Sequence, residues 1–340
     1  MSSGSNVLMT LSLCALVSAC GGGGSEPNRA DSGAPPLAQM PTLADTSPTQ
    51  ISDANFLEIA KLATSADMVP FGTVDIPSHD AFTALKTSAN VAPAMDFALR
   101  AVTNSALNCE IGFGVLQTID SDGNPKTTAA GDVRIGTYDG CYVAGFIPWY
   151  VDGIYTNTID SVTGELPARL FEPDIRSDTP AFSFTATRVA DLEVQLLLDG
   201  GFILTDNATT TVASTFDGNT LIHTTRSAGD VRFGSATATL IVRDQVAEAT
   251  VTRLAPSSFD VSVTYSATLL STSFNGSVVV ATQTPMRAID NVFQTGAVKI
   301  TGSNGSSITT TIISADTAQV EADFDGDGLS DRTETLDLSL

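Results

Sequence analysis

From about residue 106 onward, apolar side chains recur at every second position along most of the chain. The alternation is clearest in three segments, whose intervening residues are Ser, Thr or charged: Phe182/Phe184, Val261/Val263/Tyr265/Ala267/Leu269 and Leu336/Leu338/Leu340. A period of two is the side-chain repeat of a β-strand that buries one of its faces. The pattern therefore predicts roughly a dozen half-buried strands over residues 106–340.

Pairs of Asp or Asn with Gly separate these apolar runs. Such pairs reach positive φ at low cost and so close tight hairpins between antiparallel strands. They occur at Asp122-Gly123-Asn124, Asp139-Gly140, Asp152-Gly153, Asp217-Gly218-Asn219, Asn275-Gly276 and Asn304-Gly305. Because so many strands do not fit one flat sheet, we expect a mainly β protein with a curved antiparallel sheet, either an open barrel or a sandwich.

The segment 51–105, which precedes the strands, has a helical period instead. Its first apolar residues fall at i, i+3, i+4 and i+7, and they are Phe56, Ile59, Ala60 and Ala63. Ser52 is the candidate N-cap of this helix, and Pro93–Val102 repeats the spacing after a first-turn proline. We expect two or three short N-terminal helices, which either pack on the sheet or cover a ligand cavity.

The amino terminus has the features of an export signal. Val7–Ala19 is an uncharged apolar run that is too short to span a bilayer but has the length of a signal-peptide core. It ends in Val17-Ser18-Ala19-Cys20, which resembles a bacterial lipobox, although no Lys or Arg precedes the apolar run. We expect residues 1–19 to be a lipoprotein signal peptide and Cys20 to be lipidated; the alternative is an ordinary cleaved signal with an incidental cysteine.

Two consequences follow for the residues after Cys20. Gly21 in place of Asp points, by the same resemblance, to an outer-membrane lipoprotein of the cell envelope. Residues 20–50 are rich in Gly, Pro, Ser and Thr without apolar periodicity, which predicts a flexible tether to the membrane.

Composition excludes several classes of function. The 340 residues contain 38 acidic and 16 basic side chains, a formal charge of −22, so nucleic acid is not an expected partner. Only two histidines occur, and His79 and His223 are each expected to have structural or surface roles. No nucleophile elbow, Walker A, H-E-x-x-H or C-x-x-C motif occurs, so we expect no enzymatic activity and assign no catalytic residue.

Two of the four cysteines remain once Cys14 and Cys20 are assigned to the signal and the lipid anchor. An exported chain folds in an oxidising compartment, where an isolated pair of cysteines forms a disulfide. We therefore expect a bond between Cys109 and Cys141.

The strongest motif lies near the carboxyl end, in residues 323–334. It matches a 12-residue calcium loop, with Asp323, Asp325, Asp327, the Leu329 carbonyl, Asp331 and Glu334 at the ligand positions. Ca²⁺ prefers six to eight hard oxygens, and Gly328 permits the sharp turn that gathers them. The flanks alternate with period two, so we expect the loop to join two strands rather than two helices, which weakens the assignment of Glu334 as a bidentate ligand.

One short internal similarity is present, between Ala130–Gly136 and Ala228–Gly234. Either a duplication or convergent hairpin chemistry produces it, and a single similarity of this length does not predict a repeat architecture.

Together, the Cys20-Gly-Gly-Gly-Gly start, the Cys109…Gly131-Asp132…Cys141 hairpin and the closing Asp-x-Asp-Gly-Asp-Gly loop resemble uncharacterised Gram-negative cell-envelope lipoproteins with an EF-hand-like C-terminal calcium loop. The resemblance implies a compartment and a disulfide-bearing β body, and it implies no activity. We expect a non-enzymatic outer-membrane lipoprotein with a structural Ca²⁺ site. Its β-rich surface would bind an unknown macromolecular, carbohydrate or lipid partner. The alternative is a periplasmic carrier that holds an apolar ligand in a β-cup.

Overall fold

The computed structural model describes residues 37–66, 105–107, 109–123, 129–144, 148–164, 180–197, 202–255, 258–289 and 292–337. This part contains one α-helix, α1 (Phe56–Ala66), and one 3-10 turn, Ser303–Gly305. The strands are β1 (Ser105–Leu107), β2 (Ile111–Ile119), β3 (Val133–Val143), β4 (Trp149–Thr163), β5 (Phe182–Leu196), β6 (Phe202–Phe216), β7 (Thr220–Gly234), β8 (Thr239–Ala255), β9 (Ser258–Ser271), β10 (Gly276–Ile289), β11 (Val292–Thr301), β12 (Ser307–Ser314), β13 (Thr317–Asp323) and β14 (Arg332–Asp337).

All of these strands belong to one open antiparallel sheet. The three-residue strand β1 lies at one edge, and thirteen longer strands follow in sequence order from β2 to β14. The predictions of a mainly β protein and of an antiparallel sheet are confirmed. The alternative of a sandwich is wrong for the described strands, because every strand pairs with its sequence neighbours and no second sheet forms.

Alternate residues of the strands lie on one common face, which we call the buried face. The register places Gly136 of β3, Tyr155 of β4 and Ala190 of β5 opposite one another on this face. Tyr155 is fully buried, and its ring occupies the space in which a Cβ at Gly136 would lie, 2.3 Å from the nearest ring carbon. The predicted strands at Phe182/Phe184 and Val261–Leu269 are β5 and β9, whereas Leu338 and Leu340 lie outside the described residues.

Two of the predicted hairpin turns are wrong. Asp139-Gly140 and Asp152-Gly153 lie inside β3 and β4, where the register shifts between Tyr138 and Cys141. The amide of Gly140 donates to the Asp152 carboxylate at 2.9 Å. The physical reason is that positive φ at glycine serves a β-bulge as well as a turn. The pairs at 217–219, 275–276 and 304–305 do lie at strand connections, as predicted.

The helix α1 covers β11, β12 and β13 with the apolar face that the sequence predicts. Phe56, Ile59, Ala60 and Ala63 are all buried in the larger of two core clusters. The prediction of Ser52 as a side-chain cap is wrong: its carbonyl accepts the amides of Asn55 and Phe56, and its hydroxyl donates to Asn55 Oδ1. The second predicted helix, Pro93–Val102, lies outside the described residues. In the described part, no helix has the length and apolarity needed to cross a membrane.

The chain before α1 lies against the sheet. The Gln195 side chain accepts the amide of Ala38 at 3.1 Å and donates to its carbonyl at 3.0 Å, and the amide of Thr49 donates to the Ser277 carbonyl at 2.8 Å. The predicted tether 20–50 therefore has its last residues on the folded body. Residues 1–36, with Cys20, lie outside the described residues.

The apolar core of the buried face has two parts. The larger cluster extends from α1 across β2–β14 and includes Trp149. The smaller cluster consists of Ile159, Phe182, Phe184, Ala186, Val212, Phe216 and Leu221. Polar side chains of β2–β7 occupy the same face between the two clusters. His223 of β7 also lies on this face, opposite Ser214 and beside the smaller cluster.

His223 is held by two hydroxyl groups. Its Nδ1 lies 2.7 Å from Ser214 Oγ and its Nε2 lies 3.2 Å from Thr225 Oγ1. Burial disfavours the imidazolium and lowers the pKa of His223 to about 4. These contacts support a structural role for this histidine.

The disulfide predicted between Cys109 and Cys141 is confirmed, with Cα atoms 5.3 Å apart and a sequence separation of 32. In the chain-entropy model a loop of this size contributes about 3–4 kcal/mol.

We expect the Cys109→Ser/Cys141→Ser variant to lose that much free energy of unfolding in urea titrations. A reducing agent should destabilise the wild type and leave the double variant unchanged; equal sensitivity of both would contradict the assignment.

The shifted pKa of His223 predicts a pH dependence of stability. Because the folded-state pKa lies below the unfolded value of 6.5, the stabilisation is complete above pH 6.5 and is lost as the pH falls towards 4. Between pH 7 and pH 4.5 the loss is about 2–3 kcal/mol. We expect the free energy of unfolding of His223→Gln, measured by urea titration, to fall over this interval by about 2–3 kcal/mol less than that of the wild type. Buried Asp206, whose pKa is raised, contributes with the opposite sign in both proteins and cancels in the comparison.

Candidate functional site

The predicted calcium loop joins β13 to β14, so the expectation that it connects two strands is confirmed. The two strands pair from Thr317 with Asp337 to Ala322 with Arg332, and the loop closes where the ladder ends. The amide of Asp331 donates to the Ala322 carbonyl at 2.8 Å, which extends the ladder by one bond. The hairpin thus defines where the acidic residues of the loop lie.

Three of the predicted ligands form an acidic cluster, which we call the Asp cluster. Asp323, Asp325 and Asp327 each place a carboxylate oxygen within 4.8 Å of the other two. Backbone amides orient all three: Asp323 accepts from Gly326 at 2.7 Å and Gly328 at 3.0 Å, Asp325 from Asp327, and Asp327 from Leu329. The Asp cluster therefore brings together three anionic oxygens that could hold a metal ion.

Glycine is required at two positions of this loop. Gly326 and Gly328 have φ of +78° and +87°, which residues with a Cβ rarely adopt. A Cβ at Gly326 would also lie 2.8 Å from the Asn304 carbonyl oxygen. Gly328, by contrast, has open space around it, so its backbone conformation alone selects glycine there.

The carboxylates of Asp331 and Glu334 are not part of the Asp cluster. The Asp331 carboxylate accepts the amide of Phe324 at 2.7 Å. Glu334 lies in β14 opposite Val320 and forms an ion pair with Arg332 at 2.7 Å. In a calcium loop between two helices, the exiting helix places the last carboxylate against the ion. Glu334 lies in a strand instead, and its carboxylate pairs with Arg332.

The loop is fixed to the segment that begins α1. Phe324 packs edge-on against Phe56, with ring centroids 5.7 Å apart, and its carbonyl accepts the Gln50 side-chain amide at 2.7 Å. Arg332 lies over the Phe56 ring at 5.6 Å and pairs with Asp53. Sequence reasoning missed these contacts because they join residues about 270 to 280 positions apart. The loop therefore connects the last hairpin to the start of the helix.

A second group of polar residues crosses the buried face as one row. The register aligns Thr118 of β2 with Arg134, Arg134 with Asn157, Asn157 with Arg188, Arg188 with Thr210, and Thr210 with Ser227 of β7. We call these six residues the polar row. Arg134 and Arg188 are only 6% and 7% exposed, which is unusual for arginine. The sequence signal that would have found them is a charged residue in the buried phase of a period-two strand.

Arg188 has a charged partner in the next strand. It forms an ion pair with Asp206 of β6 at 3.1 Å and lies over the Tyr155 ring at 5.4 Å. Burial raises the pKa of Asp206, and the nearby Arg188 charge opposes that effect. Arg188 and Asp206 therefore form a buried ion pair, in which each charge stabilises the other.

A shallow cavity of about 400 Å³ lies on the face opposite the polar row. It is lined by the segment 37–40 together with residues of β5, β6 and β7, among them Gln195, Ile203 and Arg232. The cavity marks the place where the chain before α1 crosses these strands.

Comparisons with protein-family models, with curated proteins and with solved structures found no match to this chain.

Proposed function

We propose that the protein is a non-enzymatic, lipid-anchored protein of the cell envelope, in which Ca²⁺ binding at the Asp cluster stabilises the C-terminal hairpin. The observation that supports this most is the convergence of the Asp323, Asp325 and Asp327 carboxylates within 4.8 Å. Three like charges at this distance repel one another, and a bound cation offsets that repulsion. The ion acts structurally in this proposal, because the loop also contacts the start of α1.

The coordination shell has contributions of two kinds. Asp323, Asp325 and Asp327 supply carboxylate oxygens, and the Leu329 carbonyl and water complete the six to eight ligands that Ca²⁺ takes. Glu334 joins only if its ion pair with Arg332 opens. A site with few charged ligands in an exposed loop has the weak affinity of extracellular calcium modules.

The sheet presents a polar surface opposite the buried face. On β6 this surface exposes Asn207, Thr209, Thr211 and Thr215, whose short hydroxyl and amide groups suit a macromolecular or carbohydrate partner. With a tether at Cys20, such a surface would face the periplasm or the exterior of an outer membrane. The formal charge of −22 argues against nucleic acid.

A second candidate function, a carrier that holds an apolar ligand, is favoured by the arrangement of the buried face. The smaller apolar cluster is separated from the larger one by polar side chains, so this face combines two apolar regions with hydrogen-bonding groups between them. Ligand sites commonly combine an apolar lining with a few polar groups.

Calcium should stabilise the protein through the Asp cluster. With a dissociation constant of ~10⁻⁴ M, 1 mM free Ca²⁺ contributes about 1.4 kcal/mol and raises the unfolding midpoint by about 3 °C. We expect Asp327→Asn to abolish most of this gain in calorimetric scans, because it keeps the shape and removes a charge. Mg²⁺ should stabilise less, since it requires tighter octahedral geometry.

The matched control is Asp316→Asn, an exposed acidic residue in the turn between β12 and β13, which should keep the full response. Hydrogen exchange should slow on Ca²⁺ addition in residues 320–337 and, through the contacts of Phe324 and Arg332, in residues 50–56. No heat of Ca²⁺ binding, together with an unchanged midpoint in excess chelator, would refute the calcium proposal.

Replacing Cys20 should release the protein from membranes. The acyl chains attached to Cys20 would contribute about 0.8 kcal/mol per buried methylene to membrane binding, so their loss should weaken it strongly. We expect Cys20→Ala to move to the soluble fraction and to lose palmitate labelling, whereas Cys14→Ala should retain both. Retention of the Cys20→Ala protein in the membrane fraction would contradict the lipid anchor.

A further inference from the structure

Arg134 is a buried cation that forms no ion pair with any carboxylate in the described part of the chain. It is 6% exposed on the buried face of β3, and its Nε has no hydrogen-bond partner. The described ion pairs join carboxylates to Arg188, Arg232, Arg243, Arg287 and Arg332 instead. A charge taken out of water in this way is costly unless an opposite charge compensates it.

The nearest carboxylate along the chain is committed to other groups. Asp132, also buried, accepts the amide of Ser121 at 2.9 Å, the Ser121 hydroxyl at 2.9 Å and the amide of Ala129 at 2.8 Å. These bonds hold the turn before β3. The carboxylate of Asp132 therefore serves the turn rather than Arg134.

The related sequence in β7 has the opposite arrangement. There Arg232 lies 3.4 Å from Asp230, and Arg243 of β8 pairs with the same carboxylate at 2.6 Å. Arg232 lies opposite Thr205 and Ile241, on the face away from the polar row. The arginine of this short motif therefore has a carboxylate partner in β7, where it is Arg232, but none in β3, where it is Arg134.

Two further donors of the polar row lack partners. Thr118, directly opposite Arg134 on β2, has a buried hydroxyl without a hydrogen-bond partner, and the same holds for Nε of Arg188. Arg188 already pairs with Asp206, whereas Arg134 forms no ion pair with a carboxylate of the described residues. Adjacent strands are about 4.8 Å apart, which places β3 and β5 about 10 Å from each other, within reach of two arginine side chains that converge.

We infer that the polar row binds an oxyanion, held by the guanidinium groups of Arg134 and Arg188 and by the hydroxyl of Thr118. Guanidinium forks match the planar oxygens of a carboxylate or the oxygens of a phosphate group, and a threonine hydroxyl donates a further bond. The group is either a small free anion or the headgroup of an amphiphile, whose chain would lie along the neighbouring apolar clusters. The inference is independent of the calcium proposal, since the Asp cluster lies on a different hairpin.

The test is titration calorimetry of the mature protein at constant ionic strength in chloride, with four probes: acetate, inorganic phosphate, decanoate and the uncharged decanol. We expect an oxyanion to bind and Arg134→Gln to weaken its affinity at least tenfold. Thr118→Val, which keeps the shape and removes the hydroxyl, should weaken it about threefold. The matched control is Arg226→Gln, an exposed arginine on β7, which should bind as the wild type does.

Thermal unfolding distinguishes loss of the anion site from loss of the fold in the Arg134→Gln variant. Without added anion, Arg134→Gln should unfold at a higher temperature than the wild type, because the variant no longer buries an uncompensated charge. Binding of acetate or phosphate would identify a free anion, and binding of decanoate alone would identify a headgroup; both support the site. Decanol binding as tightly as decanoate, unchanged affinity in Arg134→Gln, or no binding of any probe would overturn it.

Discussion

The structure depends on backbone hydrogen bonding between strands that are adjacent in sequence. Each of the described ladders joins consecutive strands, from β1 with β2 to β13 with β14, so each register is set by the connection between the two strands. A shift by one residue would move the whole apolar set of a strand to the other face. The continuity of the buried face across thirteen long strands therefore requires every connection, including the bulges of β3 and β4, to preserve the phase.

The buried face is not uniformly apolar, and its polar residues are the costly part of the fold. A sheet that buries Arg134 and Arg188 loses the hydration of two guanidinium groups, and only Arg188 regains an ion pair within the described residues. Groups retained at such a cost are candidates for binding rather than for stability. The same reasoning separates His223, whose neutral ring is held by Ser214 and Thr225, from the two arginines.

The loop of the C-terminal hairpin (β13 and β14) contacts the start of α1. Phe324 and Arg332 contact Phe56 and Asp53, and the Gln50 side chain donates to the Phe324 carbonyl, so residues from both ends of the described chain meet at the loop. Occupancy of the Asp cluster would then affect α1 as well as β13 and β14. An ion bound in the loop would therefore stabilise contacts of α1 as well as those of the hairpin.

Features that depend on local periodicity were predictable from the amino-acid sequence alone. The period-two strands, the apolar face of α1, the antiparallel connections, the strand-flanked acidic loop and the Cys109–Cys141 bond were all predictable, because neighbouring residues and redox chemistry specify them. Other features depend on contacts between strands that are distant in local sequence. Asp139-Gly140 forms a bulge and Asp217-Gly218 lies at a turn, although both pairs reach positive φ equally well. Glu334 pairs with Arg332, and Arg134 faces inward while Arg232 faces outward, because register between strands, and not local sequence, determines which groups meet.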